Sequence, residues 1–239
     1  MGIRIGCCGF PVSRQRYFEQ FSTVEIQQTF YQLPTLKTAH KWREEAPRGF
    51  EFTAKAWQLI THEPTSPTYR RLKTIIAEDK RKNFGSFKPT EEVFDAFAAT
   101  ARFCKSLGAE KIIFQCPPSF GMTSENVGNI IHFFRQIEGR HFTFIWEPRG
   151  NWDKEEIRAI CNEAELVHCV DPFRGVPVSE GIRYFRLHGV KGYCYRYTDE
   201  DLLELKAKWF TTGTTYFMFN NISMMEDARR FEELLPSTS

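Results

Sequence analysis

Glu147 and Arg149 stand two residues apart in the run FTFIWEPRGNW (142–152), and Arg186 and His188 repeat that spacing in YFRLHG (184–189). Residues two apart on an extended chain share one face, so each pair presents its ionisable groups side by side. A carboxylate beside a guanidinium and an imidazole can move protons around an anionic substrate. Glu25 or Glu147 would serve as base, His188 or Lys55 as acid, and Arg149 with Arg186 as the clamp on the anion. Asp171, which ends the run LVHCVD (166–171), joins these as a catalytic candidate.

The same residues admit other readings. Glu147, Asp171 and His188, joined by Glu25, offer hard oxygen donors and one imidazole, a set able to hold Mn, Mg or Zn. Lys55 and two arginines would repel such a cation, so no cofactor is predicted and a divalent metal stays an alternative. A third reading has no chemistry in it: the charges pair with one another and fill the upper part of a barrel.

The elements that must position these groups follow from periodicity. Strand-like runs occur at 3–10, 23–30, 50–57, 111–117, 142–148, 166–171, 182–189 and 214–221, and helical spacing occurs at 90–108, 124–136, 153–164, 199–209 and 224–235. In the first of these helices Thr90 is placed to cap the first turn and Gly108 to close the last. The link PFRGVPVSEG (172–181) is too short and too proline-broken for a helix. Strands that alternate with helices predict an α/β fold with parallel strands, and eight of them over 239 residues predict a single-domain (β/α)8 TIM-type barrel spanning residues 1–239. A doubly wound open sheet is the alternative, but no glycine-rich dinucleotide turn follows the first strand.

A barrel turns strand parity into an inside and an outside. On the fifth strand Phe142, Phe144 and Trp146 claim the helix side, which places Glu147 and Arg149 inward. The same test places Glu25, Gln27, Thr29 and Tyr31 inward on the second strand. It adds Lys55 from the third, Gln115 from the fourth, Asp171 from the sixth, and Arg186 with His188 from the seventh. The eighth offers Asn220 or Asn221, and parity does not choose between them. His168 takes the helix-facing parity. Trp152 and Tyr31 are candidates to stack on a ligand at the mouth, with packing as the plain alternative. His62 is a candidate second acid or base at the rim, or a loop cap.

Charge and composition narrow the partners. The net charge is +2, yet Arg70 to Lys88 holds seven Lys or Arg against Glu78 and Asp79. With Trp57, Tyr69, Phe84 and Phe87 interspersed, this long βα loop after the third strand could grip a single strand or a phosphate, or could be a solvated lid. No apolar run approaches the roughly 18 residues of a membrane span, and MGIRIGCCGF lacks a secretory core. We therefore expect a soluble cytoplasmic protein with no membrane partner. Its seven cysteines show no CxxC spacing and are expected to be reduced and mostly buried, Cys7 and Cys8 on opposite faces of the first strand. No nucleophile elbow, P-loop, HExxH or nucleotide fingerprint occurs, and the oligomeric state is not legible.

TVEIQQTFYQLP, FEFTAKAWQLITH, IIFQCPPSF, FIWEPRGNW, YFRLHG and FMFNN occur in this order between residues 23 and 221, within a match that runs from about residue 3 to 221. Together they resemble the DUF72, or YecE-like, family. Thr61 and His62 match that family's Thr-His; Cys7, Cys8, Phe10 and Gln27 depart from its usual residues. The resemblance implies a TIM-type barrel and brings no settled activity. A likeness of the family to endonuclease IV-like barrels implies nucleic acid as a partner, by analogy of fold. The expectation for function is a polar mouth that binds a small anionic or phosphate-containing ligand, with acid/base hydrolase or lyase chemistry. Nucleic-acid binding without catalysis, through the 70–88 segment, is the alternative.

Overall fold

The computed structural model describes residues 2–137, 141–210 and 213–236. The chain opens with β1 (Gly2–Cys8), α1 (Arg14–Phe18), β2 (Thr23–Ile26), α2 (Gln28–Tyr31), α3 (Leu36–Glu45), β3 (Glu51–Lys55) and α4 (Gln58–Thr61). Two 3-10 turns, Pro67–Arg71 and Glu78–Asn83, carry the basic segment. There follow α5 (Glu91–Leu107), β4 (Ala109–Gln115), α6 (Ser124–Gln136), β5 (Thr143–Glu147), α7 (Lys154–Glu163) and β6 (Val167–Val170). The series ends with β7 (Arg183–Leu187), α8 (Asp199–Trp209), β8 (Thr214–Phe219) and α9 (Met224–Leu234), and no helix separates β6 from β7. All eight strands pair in parallel, each with its sequence neighbour, and β1 closes on β8. This is the expected (β/α)8 barrel.

Local chemistry explains several boundaries. Thr198 and Asp201 form a reciprocal capping box at the start of α8, and the Thr123 hydroxyl accepts from Asn126 N–H at 3.1 Å to start α6. Gly108 ends α5 at φ +72°, the left-handed conformation a C-terminal glycine adopts without strain. Thr90 does not cap α5: its hydroxyl donates instead to Asn83 O at 2.6 Å, tying the helix to the second 3-10 turn.

The second strand is shorter than the alternation predicts. It stops at Ile26, and residues 28–31 coil into a helical turn because Gln27 adopts helical dihedrals. The Thr29 hydroxyl secures this turn by donating to both Ile26 O (3.0 Å) and Lys55 O (2.6 Å). Thr29 is thus a backbone clamp between β2 and β3 and not a lumen residue.

Two apolar layers hold the barrel. Between strands and helices Phe97, Phe114, Phe133, Phe134 and Phe144 pack with ring centroids 4.9 to 6.4 Å apart. Such edge-to-face packing is where much of an aromatic-rich chain's burial energy resides. Inside the barrel Cys8, Ile113, Ile145, Cys169, Tyr184, Tyr216 and Met218 form a separate buried cluster. Cys7 belongs to the outer layer, so the two adjacent cysteines face opposite ways as strand geometry requires. At the N-terminal end of the strands Glu51 accepts from Lys111 Nζ (2.7 Å) and Tyr216 OH (2.6 Å) and pairs with Arg4 (3.3 Å). Among the described residues no helix is long and apolar enough to cross a membrane.

Candidate active site at the C-terminal mouth

Above the apolar lumen the inward side chains become charged. Strand register sets the pairing: Gln115 lies opposite Glu147, and Cys8 opposite Glu25. Arg186, fully buried on β7, reaches across the lumen. Its Nη1 donates to Gln115 Oε1 (2.9 Å) and to Glu147 Oε2, and its Nη2 lies 3.1 Å from Glu25 Oε1. The other Glu147 oxygen takes Arg149 Nε and Nη2, each at 2.9 Å, and lies 3.5 Å from His188 Nε2. Glu25 also accepts from Tyr184 OH (2.8 Å) and from Gln27 Nε2.

This geometry gives the two glutamates a fixed role. Burial alone would raise the Glu147 carboxyl, but Arg186, then Arg149 and His188, outweigh it and hold the group well below the usual carboxylate range. A carboxylate so strongly stabilised is a poor proton acceptor. Arg186 in turn is desolvated by burial yet held charged by Glu147 and Glu25. Glu25 lies beneath the cavity floor, completely buried.

His188 bridges two parts of the mouth. Its Nε2 is hydrogen-bonded to Arg149 Nη2, and its Nδ1 lies 3.5 Å from Asp171 Oδ2. Asp171 is itself fixed by backbone donors, His188 N–H at 3.1 Å and Phe173 N–H at 3.0 Å.

Lys55 differs from its neighbours. Among the described residues no group hydrogen-bonds its Nζ and no carboxylate forms an ion pair with it; the nitrogen rests 3.6 Å from the centre of the Phe30 ring. Burial, then the Arg186 charge, brings its pKa down to about 7, with Glu147 and Glu25 opposing only in part. His62, edge-on to the same Phe30 ring at 4.8 Å and hydrogen-bonded to Thr61 Oγ1 (2.8 Å), is held neutral: burial, then Lys55 and Arg149, lowers it to about 3.

These groups surround a cavity of about 820 Å³. Its lining includes Gln27, Tyr31, Lys55, His62, Gln115, Glu147, Arg149, Trp152, Asp171, Arg186, His188 and Asn220. The eighth-strand ambiguity resolves: Asn220 faces the cavity, whereas Asn221 turns away, donating to Tyr195 O and Asp227 Oδ2, and is no part of the mouth. Trp152 spends its indole N–H on Phe120 O (2.8 Å), leaving its ring as the surface on offer.

Parity misses three contributors. His168 pairs outward beside Trp146, yet it lines the cavity wall and takes Val178 N–H on Nδ1 (3.2 Å). Phe30 takes the helix side of the strand that the alternation predicts, but that stretch is a helical turn and its ring lines the cavity. Tyr184 is legible in principle, since it precedes Arg186 by two on the same face.

The alternative metal set of Glu147, Asp171, His188 and Glu25 is not grouped as ligands. Among the described residues no group of three or more His, Cys, Asp or Glu side chains could hold an ion. Arginines occupy the Glu147 oxygens, and backbone N–H groups those of Asp171.

The model of the family described as "Protein of unknown function DUF72" matches residues 13–239. The chain belongs to the DUF72 family. A related sequence is the UPF0759 protein YunF of Bacillus subtilis (strain 168), 29% identical over 222 residues, covering 80% of this chain and 73% of that protein. Among solved structures, a DUF72 family protein from Enterococcus faecalis V583 superposes with TM-score 0.72 at 20% identity over 98% of this chain and 97% of its own. Endonuclease IV from Thermus thermophilus shares the fold more distantly, with TM-score 0.56 at 11% identity over 97% of this chain and 100% of its own.

Proposed function

We propose that this DUF72 barrel binds a small anionic or phosphate-bearing molecule in its C-terminal cavity and carries out proton-transfer chemistry of the hydrolase or lyase type upon it. The observation that carries this is the charge around the cavity. Lys55, Arg149, Lys154, Arg174 and Arg186 line it, against Glu147 and Asp171. Even with Lys55 neutral and Glu25 counted beneath the floor, the balance stays positive, and a recessed cationic mouth concentrates anions.

Arg149 is the anchor. Glu147 and His188 orient its guanidinium, yet about a third of the side chain remains open (32%). Arg186 is buried beneath it, adds its charge to the cavity and keeps Glu147 in place. Glu147 is then a fixed counter-ion, and proton transfer falls to His188, steadied by Asp171, and to Lys55.

The test is thermal shift with inorganic phosphate, pyruvate and a phosphosugar. A bound anion at one hundred times its Kd adds about 2.7 kcal/mol of stability. Arg149→Leu should abolish the shift, while Arg70→Ala should leave it. A wild-type protein that no anion stabilises would refute the reading.

Nucleic-acid binding is supported by the density of cations between Arg70 and Lys88 and by the shared endonuclease IV fold. Several of those cations are already engaged, however: Lys80 with Glu92, Arg81 with Glu78, Lys88 with Glu63, and Arg71 on the Tyr31 ring at 3.6 Å. Salt-dependent retention of a single-stranded oligonucleotide, lost when Arg70, Arg71, Lys80, Arg81 and Lys82 are neutralised together, would favour this second function.

A further inference from the structure

We infer that Lys55 is a carbonyl-reactive amine, and that the anionic ligand of the mouth is an aldehyde or ketone that it captures as an imine. The substrate class rests on the anion-binding proposal; the reactivity of the amine does not.

Four features of the site converge. Lys55 ends β3 at the floor of the cavity, so a ligand entering the mouth meets its Nζ. A lysine buried in a charged site is ordinarily fixed by a carboxylate, but here Arg186 has taken Glu25 and shares Glu147 with Arg149. The amine is left on an aromatic face without a hydrogen-bond acceptor among the described residues. The charged groups around it bear on its proton, with His62 neutral on the same Phe30 ring: desolvation is the largest influence, Arg186 and Arg149 also disfavour the ammonium, Glu147 and Glu25 favour it, and the pKa falls to about 7. The Phe30 face attracts the ammonium, which offsets part of that push. Desolvated lysines next to other cations are the ones that act as nucleophiles at neutral pH.

The chemistry balances without a cofactor. The neutral Nζ attacks the carbonyl carbon; a C–N bond forms as the C=O π pair moves to oxygen. A proton passes from nitrogen to that oxygen, giving a carbinolamine. The nitrogen lone pair then expels the hydroxyl, which takes up a proton (hydronium) supplied by bulk solvent through the open mouth and departs as water. Carbonyl, amine and one proton thus become iminium and water. Arg149 holds the substrate's carboxylate or phosphate, and the iminium draws electrons from the adjacent carbon, the activation a lyase requires.

Reductive trapping tests this directly. The protein is incubated at about pH 7.5, just above the lowered pKa of the amine, with pyruvate, glyoxylate or dihydroxyacetone phosphate and, separately, with neutral propionaldehyde. Sodium borohydride then delivers hydride to any iminium carbon and makes the bond permanent. Intact-mass and peptide analysis should find one adduct per chain, on Lys55, formed at least about tenfold faster than on exposed lysines, whose amines stay protonated at that pH. Its rate should be half-maximal near pH 7. Lys55→Met, close in volume, should lose the adduct while keeping the circular dichroism of the wild type; should that variant misfold, the wild-type peptide map still decides.

The two proposals fail separately. Rapid labelling of Lys55 by propionaldehyde but by none of the anionic carbonyls would sustain the amine and overturn its assigned substrate class. Labelling by no carbonyl above the level of surface lysines would overturn the imine, leaving a phosphate-induced thermal shift to speak for anion binding alone.

Discussion

At the scale of single residues, Glu147 separates what a residue type suggests from what its neighbours permit. As a carboxylate at the end of a barrel strand it reads as a base; with Arg186 on one oxygen and Arg149 on the other it is a counter-ion. Glu147→Gln should therefore destabilise the fold by about 3–5 kcal/mol, the usual result of leaving one member of a buried pair uncompensated. Urea denaturation would show this as a lower midpoint with an unchanged slope. A variant as stable as the wild type would mean that Glu25 alone satisfies Arg186. Parity on β5 and β7 places Glu147 and Arg186 inward, because period two is rigid along an extended chain, and Arg149 and His188, just past the ends of those strands, line the cavity with them. It could not apportion them, because which arginine is sealed and which is open depends on the reach of a side chain across the lumen. Thr29 and Asn221 fail for a related reason: each lies past the end of a strand, where parity no longer applies.

Among the elements, the long connection between β3 and α5 is pinned where sequence alone would leave it loose. Gly85 sits at φ +84°, and a Cβ there would stand 2.4 Å from His62 O, the carbonyl that also accepts from Tyr69 OH. Gly85→Ala should cost on the order of 1–3 kcal/mol, from backbone strain plus the forced shift. Because His62 lines the cavity, the same variant should weaken the phosphate-induced thermal shift; a melting temperature equal to wild type would show that the segment moves aside freely. Helices α6 and α8 match their predicted limits at both ends, since each begins on a Thr cap written in the sequence. The second strand is overextended in the sequence reading because TVEIQQTF keeps its alternation after Ile26, and only the Thr29 clamp to Lys55 O, a contact between distant segments, reveals the turn.

For the molecule as a whole, several buried bases contribute one pH dependence. Lys55 (about 7), His62 (about 3) and His168 (about 4, through burial) all have lowered pKa values. Each binds its proton more readily when the chain is unfolded, so each makes stability rise with pH. For the histidines that rise runs from their folded values to about 6.5, and for Lys55 from about 7 to about 10.4. The urea midpoint should thus climb between about pH 6 and 8, beyond which the buried cysteine thiols, raised by burial and free to ionise only on unfolding, pull it down, and Lys55→Met should flatten the climb above about pH 7. An unchanged slope in that variant would mean that Lys55 is charged in the folded protein. At the opposite end of the barrel, the cluster of Arg4, Glu51, Lys111 and Tyr216 beneath the layer of Ile113, Ile145 and Met218 has a consequence for traffic. Among the described residues that layer closes the lumen below the cavity. On the proposed chemistry, product would leave by the mouth through which substrate arrives, so the two would exclude one another and turnover should slow competitively as product accumulates.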